Sequence, residues 1–325
     1  MRADGGSRGV NPSGDINWTI INPERPGEGM ENRILKPIQA TICDKTDSGS
    51  GIRALARVTD LQYVGETVYG VLSLNPGISL TDLTDNNIRL MLYVNHSVSA
   101  SDEWRFNTTL AGQTDGIGGI TFTKFGTAEQ VDAIPAWGVI SVDNPAIAKG
   151  KCLNFGTVAL LRAMAKVRVQ FNLPAEQAAV TSFNSVSIYH FATSGNYVPQ
   201  DWWHRWQTAD TRHDAMNGTG GTNAEASYSA SSNVVEFYLP ECANPTSSGE
   251  IRMQLSYTVN GENRTADIYF REYDSNGHIT DKVYNIVRNN YYHYEVTSVS
   301  MDKIQLTAYV NDWTWRGNLG SEIRF

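Results

Sequence analysis

Cysteine, charge and long apolar runs are all scarce in this sequence, and each scarcity closes a class of explanation. The three cysteines, Cys43, Cys152 and Cys242, are far apart and odd in number. They offer no metal-ligand spacing and no disulfide framework of the small secreted kind. One intrachain bridge at most can form, and three buried free thiols is the simpler reading. Charged residues make up only 18% of the chain, with 26 Lys and Arg against 34 Asp and Glu, a formal net charge of −8. An acidic chain with no basic stripe and no base-stacking aromatic motif is not built to bind nucleic acid. No run of 18 apolar residues occurs, so no membrane-spanning helix is expected. The opening residues do not read as a secretory signal, which leaves location open.

Catalytic motifs are equally thin. Among the six histidines, His204 and His213 share a polar stretch with Asp201, Asp210 and Asp214. Those residue types suit a metal or an acid–base pair, but no H-x-x-x-H or H-E-x-x-H spacing accompanies them. Asp115-Gly-Ile-Gly-Gly-Ile is glycine-rich, yet Thr121 stands where a dinucleotide fingerprint needs its third glycine. It reads as a hairpin turn. Nothing here supports an enzyme, and no cofactor or metal site is expected.

Aromatic and turn-forming residues are abundant: 28 Gly, 15 Tyr and 8 Trp, with 10% aromatic overall. With little charge, that composition favours β-structure. At 325 residues, two domains of about 150 residues each are the natural prior. Residues 1–30 are rich in Gly, Pro, Ser and Asn and read as a flexible tether. Strand-like pieces follow at Ile34–Cys43, Ile52–Thr59, Thr67–Leu74, Ile88–Val94, Trp104–Leu110, Gly119–Phe125 and Ile134–Val142. Their short, regular spacing with turn chemistry between indicates a sandwich or barrel. The polar segment from Asp143 to Lys151 is the best linker, which divides the chain into domains 31–150 and 151–325.

The second half opens on Leu161–Phe171, where Leu161, Ala163, Ala165, Val167, Val169 and Phe171 alternate with mostly polar residues. The Ala-rich start also permits a helix, but the alternation sustained to Phe171 favours a strand. Arg162, Lys166 and Arg168 could form a basic strip, but a solvated face or local ion pairs is the safer account. Strands are also expected at Ser185–Phe191, Val234–Leu239, Arg252–Val259 and Thr265–Phe270, and a long polar insertion spans Gln200–Ser232. Near the C-terminus Ile304, Leu306, Ala308 and Val310 alternate with Gln305, Thr307, Tyr309 and Asn311, ending at Trp313. A strand of this kind completes a core, and another molecule can supply such a strand through main-chain hydrogen bonds.

Several phrases resemble, in order and spacing, those of the fimbrillin-like pilus subunits of Bacteroidales. Ile134-Pro-Ala-Trp-Gly resembles an "I-P-M-x-G" phrase, and Leu160-Leu-Arg-Ala-Met-Ala-Lys-Val-Arg-Val, closing the run that starts at Asn154, an "L-x-R-x-(V/M)-A-(K/R)-V-x-V" strand. Phe237-Tyr-Leu-Pro-Glu, Ile286-Val-Arg-Asn with its following tyrosines, and the closing Val310-Asn-Asp-Trp match three further phrases. The match covers roughly residues 134–315. The resemblance implies an all-β chain with two transthyretin-like β-sandwich domains in tandem. It also implies export as a lipoprotein, attachment at the outer membrane or in a fimbrium, and other pilin subunits as partners. Subunits of this kind assemble by strand exchange after a protease cuts behind an arginine; Arg25, Arg33, Arg53 and Arg57 are the arginines near a first strand, and none is singled out. The expected assembly strand is Ile304, Leu306, Ala308, Val310 and Trp313.

Trp202, Trp203 and Trp206 are the candidate ligand surface. Three indoles in a polar stretch could stack on sugar rings or anchor a host or bacterial protein partner. They could equally fold back onto the sandwich, since each buried indole contributes about 2–3 kcal/mol. The alternative function is therefore a surface lipoprotein that binds glycans for carbohydrate uptake. A hydrolase on the same scaffold is a third, weaker reading.

Overall fold

A computed structural model describes residues 7–11, 14–18, 38–44, 52–64, 67–74, 88–95, 121–123, 134–142, 157–197, 224–245, 249–273, 279–299, 304–312 and 322–324. In chain order, β1 (Ser7–Asn11) and β2 (Gly14–Trp18) form a hairpin inside the segment read as a tether. Then come β3 (Ile38–Asp44), β4 (Ile52–Val64), β5 (Thr67–Leu74), β6 (Ile88–Val94), β7 (Thr121–Thr123), β8 (Ala136–Val142) and β9 (Thr157–Arg162). The second half supplies β10 (Met164–Phe171), one helical turn α1 (Ala175–Ala178), β11 (Thr181–Tyr189), β12 (Ser194–Asn196), β13 (Glu225–Ser229) and β14 (Val234–Pro240). It ends with β15 (Arg252–Val259), β16 (Glu262–Tyr269), β17 (Arg271–Tyr273), β18 (Ile279–Val283), β19 (Asn290–Val299), β20 (Ile304–Asp312) and β21 (Glu322–Arg324). The expected strand at Trp104–Leu110 and the linker Asp143–Lys151 lie outside the described residues.

The all-β expectation holds, and α1 is the one helix among the described residues. Strands β21-β5-β4-β3-β6-β8-β9 close into a barrel. Ile38, Ala40 and Ile42 of β3, Leu90, Leu92 and Val94 of β6, and Val158 and Leu160 of β9 fill it. The opposite face of β3, β6 and β8 is buried too, by Gln39, Thr41, Met91, Tyr93 and Trp137. Burial on both faces explains the unbroken apolar run Leu90–Val94 in place of strict alternation. Gly70 lets β5 approach β4 closely: a Cβ there would stand 2.3 Å from Val58 Cγ1, a distance no side chain tolerates without displacement.

The second core lies between two sheets. One is six-stranded in the order β1-β2-β20-β19-β10-β14, the other four-stranded in the order β13-β11-β15-β16. Ala165, Val167, Val169 and Phe171 of β10 face Phe183, Val186 and Ile188 of β11 and Met253, Leu255 and Tyr257 of β15. Stacked rings tie the layers together, Phe171 on Phe183 at 4.3 Å and Tyr228 on Phe237 at 4.7 Å. The β15–β16 hairpin turns on Asn260 (φ 50°) and Gly261 (φ 82°), the Asn-Gly pair that a two-residue turn with positive φ demands. β16 is the edge of its sheet, and Arg264 sits opposite Tyr257 on the core side, paired with Glu262. A charge directed inward on an edge strand discourages unwanted sheet extension.

Two sequence expectations need correction. The single strand over Leu161–Phe171 is two strands, β9 in the barrel and β10 in the six-stranded sheet, parted at Ala163. Ala163, Met164 and Ala165 are all buried, so period-2 alternation fails where the chain passes between cores. Nor is the polar face of this segment solvated. Arg162 is 0% and Lys166 3% exposed, because Lys166 pairs with Glu236 at 3.5 Å and lies over the Tyr291 ring. Arg168 reaches the same Glu236 at 2.7 Å, so the expected local ion pairing is present.

Candidate functional site: the terminal strand and a buried polar junction

β20 pairs antiparallel with β19 along its length, placing Leu306, Ala308 and Val310 opposite Val296, Tyr294 and Tyr292. Ile304 is buried in the second core. On its other edge β20 pairs in parallel with β2, Ile16 opposite Leu306 and Trp18 opposite Ala308. The last strand, β21, belongs to the other half of the molecule: it runs parallel to β5 and antiparallel to β9, closing the barrel. The two chain ends therefore cross. Residues from the start extend the sheet of the second core, and residues from the end complete the first. Trp313, Trp202, Trp203, Trp206, His204 and His213 lie outside the described residues.

A second site emerges where four of the sequence phrases converge. Ala163, between β9 and β10, donates its backbone N–H to Pro135 O at 2.8 Å, joining the Arg162-Ala-Met phrase to Ile134-Pro-Ala-Trp-Gly. Asn289 donates its N–H to Met164 O at 2.8 Å, and Arg162 Nη1 donates to Asn289 Oδ1 at 3.4 Å. Cys242 and Ile286 exchange backbone bonds at 3.0 Å in each direction. At the centre Arg288 Nε donates to Glu241 Oε2, with both residues about 1% exposed. The fork of the same guanidinium donates to Tyr197 O at 2.6 Å and Asn196 O at 2.9 Å.

Those two carbonyls belong to the end of β12, which pairs with β7 from the first half of the chain. Tyr197 extends the network by donating its hydroxyl to Asn95 O at 2.9 Å, and its ring meets Tyr93 edge-on at 6.5 Å. Asn95 in turn donates Nδ2 to Ile134 O at 2.9 Å. Burial pushes the Tyr197 hydroxyl above its ordinary range, so it stays a neutral donor. Asn95 and Asn289 hold φ of 60° and 57°, the left-handed region that Asn tolerates better than bulkier residues. The site is thus a polar plug between two apolar cores. Its chemistry is hydrogen bonding in a low-dielectric setting, where unmet bonds are costly.

Sequence reasoning missed Arg288, Glu241, Tyr197 and Asn95 as site residues. A signal was present in retrospect: Arg288 follows Ile286-Val287, and Glu241 follows Phe237-Tyr-Leu-Pro. A charge flanked by apolar runs needs a partner if buried. Tyr292 and Tyr294 pack in the second core, and Tyr292 also donates to Asn285 O at 2.8 Å. Among the described residues, no group of three or more His, Cys, Asp or Glu could hold a metal ion.

Cys242 borders this plug as a free, buried thiol. Burial raises its pKa to about 12, with the Glu241 charge adding to the effect. A thiol ionising later when folded than when unfolded gives stability that is complete below the unfolded pKa near 9.0 and lost as pH climbs towards 12. Peptide-mapped alkylation at pH 8 should therefore leave Cys242 unmodified in the folded chain and label it on addition of urea. Rapid labelling without urea would show that the plug opens freely.

No protein-family model and no curated protein sequence matches the chain. Solved structures do. The tip fimbrial protein Mfa3 from Porphyromonas gingivalis, with a C-terminal truncation, aligns with a TM-score of 0.54 at 11% identity, over 87% of this chain and 95% of that one. A candidate cell adhesion protein from Parabacteroides distasonis aligns with a TM-score of 0.50 at 12% identity, over 96% and 97%. Another from Bacteroides eggerthii gives 0.50 at 12% identity, over 95% and 99%. At 11–12% identity the likeness is one of fold, shared with a tip fimbrial protein and with candidate cell adhesion proteins of Bacteroidales.

Proposed function

We propose that this chain is a non-enzymatic fimbrial subunit or cell-surface adhesin that joins other pilin subunits by β-strand complementation. The crossed chain ends carry the reading. A barrel whose closing strand, β21, comes from the far end of the sequence is a barrel whose closing strand can come from elsewhere. Only three residues of β21 pair there, against nine in β20, so this contact is the easier one to exchange. On this reading the two cores are transthyretin-like units in tandem, with the chain passing from the barrel to the second core at Ala163. The protein works at the cell surface with other subunits as its partners.

Truncation after Met301 removes β20 and β21 together and should abolish incorporation into fibres. Because β20 also closes its own core, a synthetic peptide spanning residues 302–325 provides a second arm. Added in excess, it should bind the truncated chain and block fibre growth by the full-length protein. Fibres that grow from folded, truncated subunits, or growth indifferent to the peptide, would end this reading.

A further inference from the structure

We infer that the buried plug around Arg288 is a mechanical lock that makes the barrel and the second core open as one unit. The inference takes its purpose from the pilus reading, since a subunit joined at both ends must pass tension from one core to the other. Its physical basis is independent of that reading.

The covalent route between the cores at the β9–β10 passage is a single residue, Ala163. One residue transmits pull but resists neither bending nor twist. Lateral bonds must supply that resistance, and they radiate from one side chain. Arg288 enters with the turn before β19, holds Glu241 at the end of β14, and grips the Asn196 and Tyr197 carbonyls at the end of β12. β12 is hydrogen-bonded to β7, and Tyr197 continues through Asn95 to Ile134 at the start of β8. The neighbouring Asn289 meets Arg162 at the end of β9. Two adjacent residues, Arg288 and Asn289, thereby connect the six-stranded sheet to three neighbouring strands of the barrel wall, β6, β8 and β9.

A planar guanidinium suits this task because its donors are fixed in a fork, and all three nitrogens are engaged here. Separating the cores would strip these donors from their acceptors within an interior that offers no substitute. Neither half can then open without breaking the plug, which is a cooperative coupling of two otherwise separate cores.

Native-state hydrogen exchange of the purified monomer in graded urea, read by peptide, tests this without any fibre. In the unaltered chain, peptides covering residues 88–95 of the barrel and 164–171 and 251–259 of the second core should share one opening transition. The double variant Glu241→Leu/Arg288→Leu replaces the pair with apolar groups of similar bulk and is expected to stay folded. In it the barrel peptides should exchange about tenfold faster than those of the second core. Tyr197→Phe, which removes one bond only, should separate the two sets less. Peptide sets that already open independently in the unaltered chain, or that remain coincident in the double variant, would overturn the lock. Fibre formation can succeed or fail separately, so the two ideas fall apart from one another cleanly.

Discussion

Arg288→Ala should destabilise the folded chain by about 3–5 kcal/mol, because it leaves a buried carboxylate without its partner. Glu241 is held 1% exposed, and water cannot replace the lost guanidinium without opening the plug. The carbonyls of Asn196 and Tyr197 lose their donors in the same step. Urea denaturation would read the loss as a lower midpoint with fewer folded contacts at the barrel boundary. Arg288→Lys should recover only part of it, since an ammonium keeps the charge but not the fork. A midpoint for Arg288→Ala indistinguishable from the unaltered chain would mean that Glu241 is solvated or protonated, and that the plug is not what holds the junction.

Phe270→Ala should cost a comparable amount, about 3–5 kcal/mol, by a different route. Phe270 is fully buried where β16 ends, and meets Tyr292 and Tyr294 edge-on at 5.7 and 5.9 Å, with interplanar angles of 81° and 88°. Removing the ring opens a cavity and deletes two favourable edge-to-face contacts. Both tyrosines stand on β19, whose other edge pairs with β20. The loss therefore reaches β20, the assembly strand expected from the sequence, through packing. Phe270→Leu, which fills much of the space, should be milder, and denaturation midpoints of the two variants would rank them. If Phe270→Ala matched the unaltered chain, the cluster would be loose enough to collapse around the gap.

Much of the strand pattern was legible because period-2 alternation is a local property. Thr67–Leu74, Ile88–Val94 and Arg252–Val259 form strands with the expected bounds, each an apolar stretch ended by turn chemistry. The pattern misled at Leu161–Phe171, where the chain leaves one core and enters the other and both faces are covered. Alternation reports one buried face; it says nothing where two cores meet. The same limit hid the solvent status of Arg162 and Lys166, whose burial depends on Asn289 and on Glu236 and Tyr291, residues distant in the sequence.

The sequence alone determined the β class, the acidic, low-charge character that disfavours polyanion partners, and the alternating terminal strand. These rest on composition and on side chains leaving opposite faces of a strand, and need no knowledge of neighbours. The tertiary structure decided the rest. It gathered four separate phrases around Arg288, sent β1 and β2 to the second core and β21 to the first, and divided one predicted strand between two sheets. Such choices are set by which distant backbone edges and buried charges find partners, and a buried guanidinium finds its carboxylate through the fold rather than through its place in the chain.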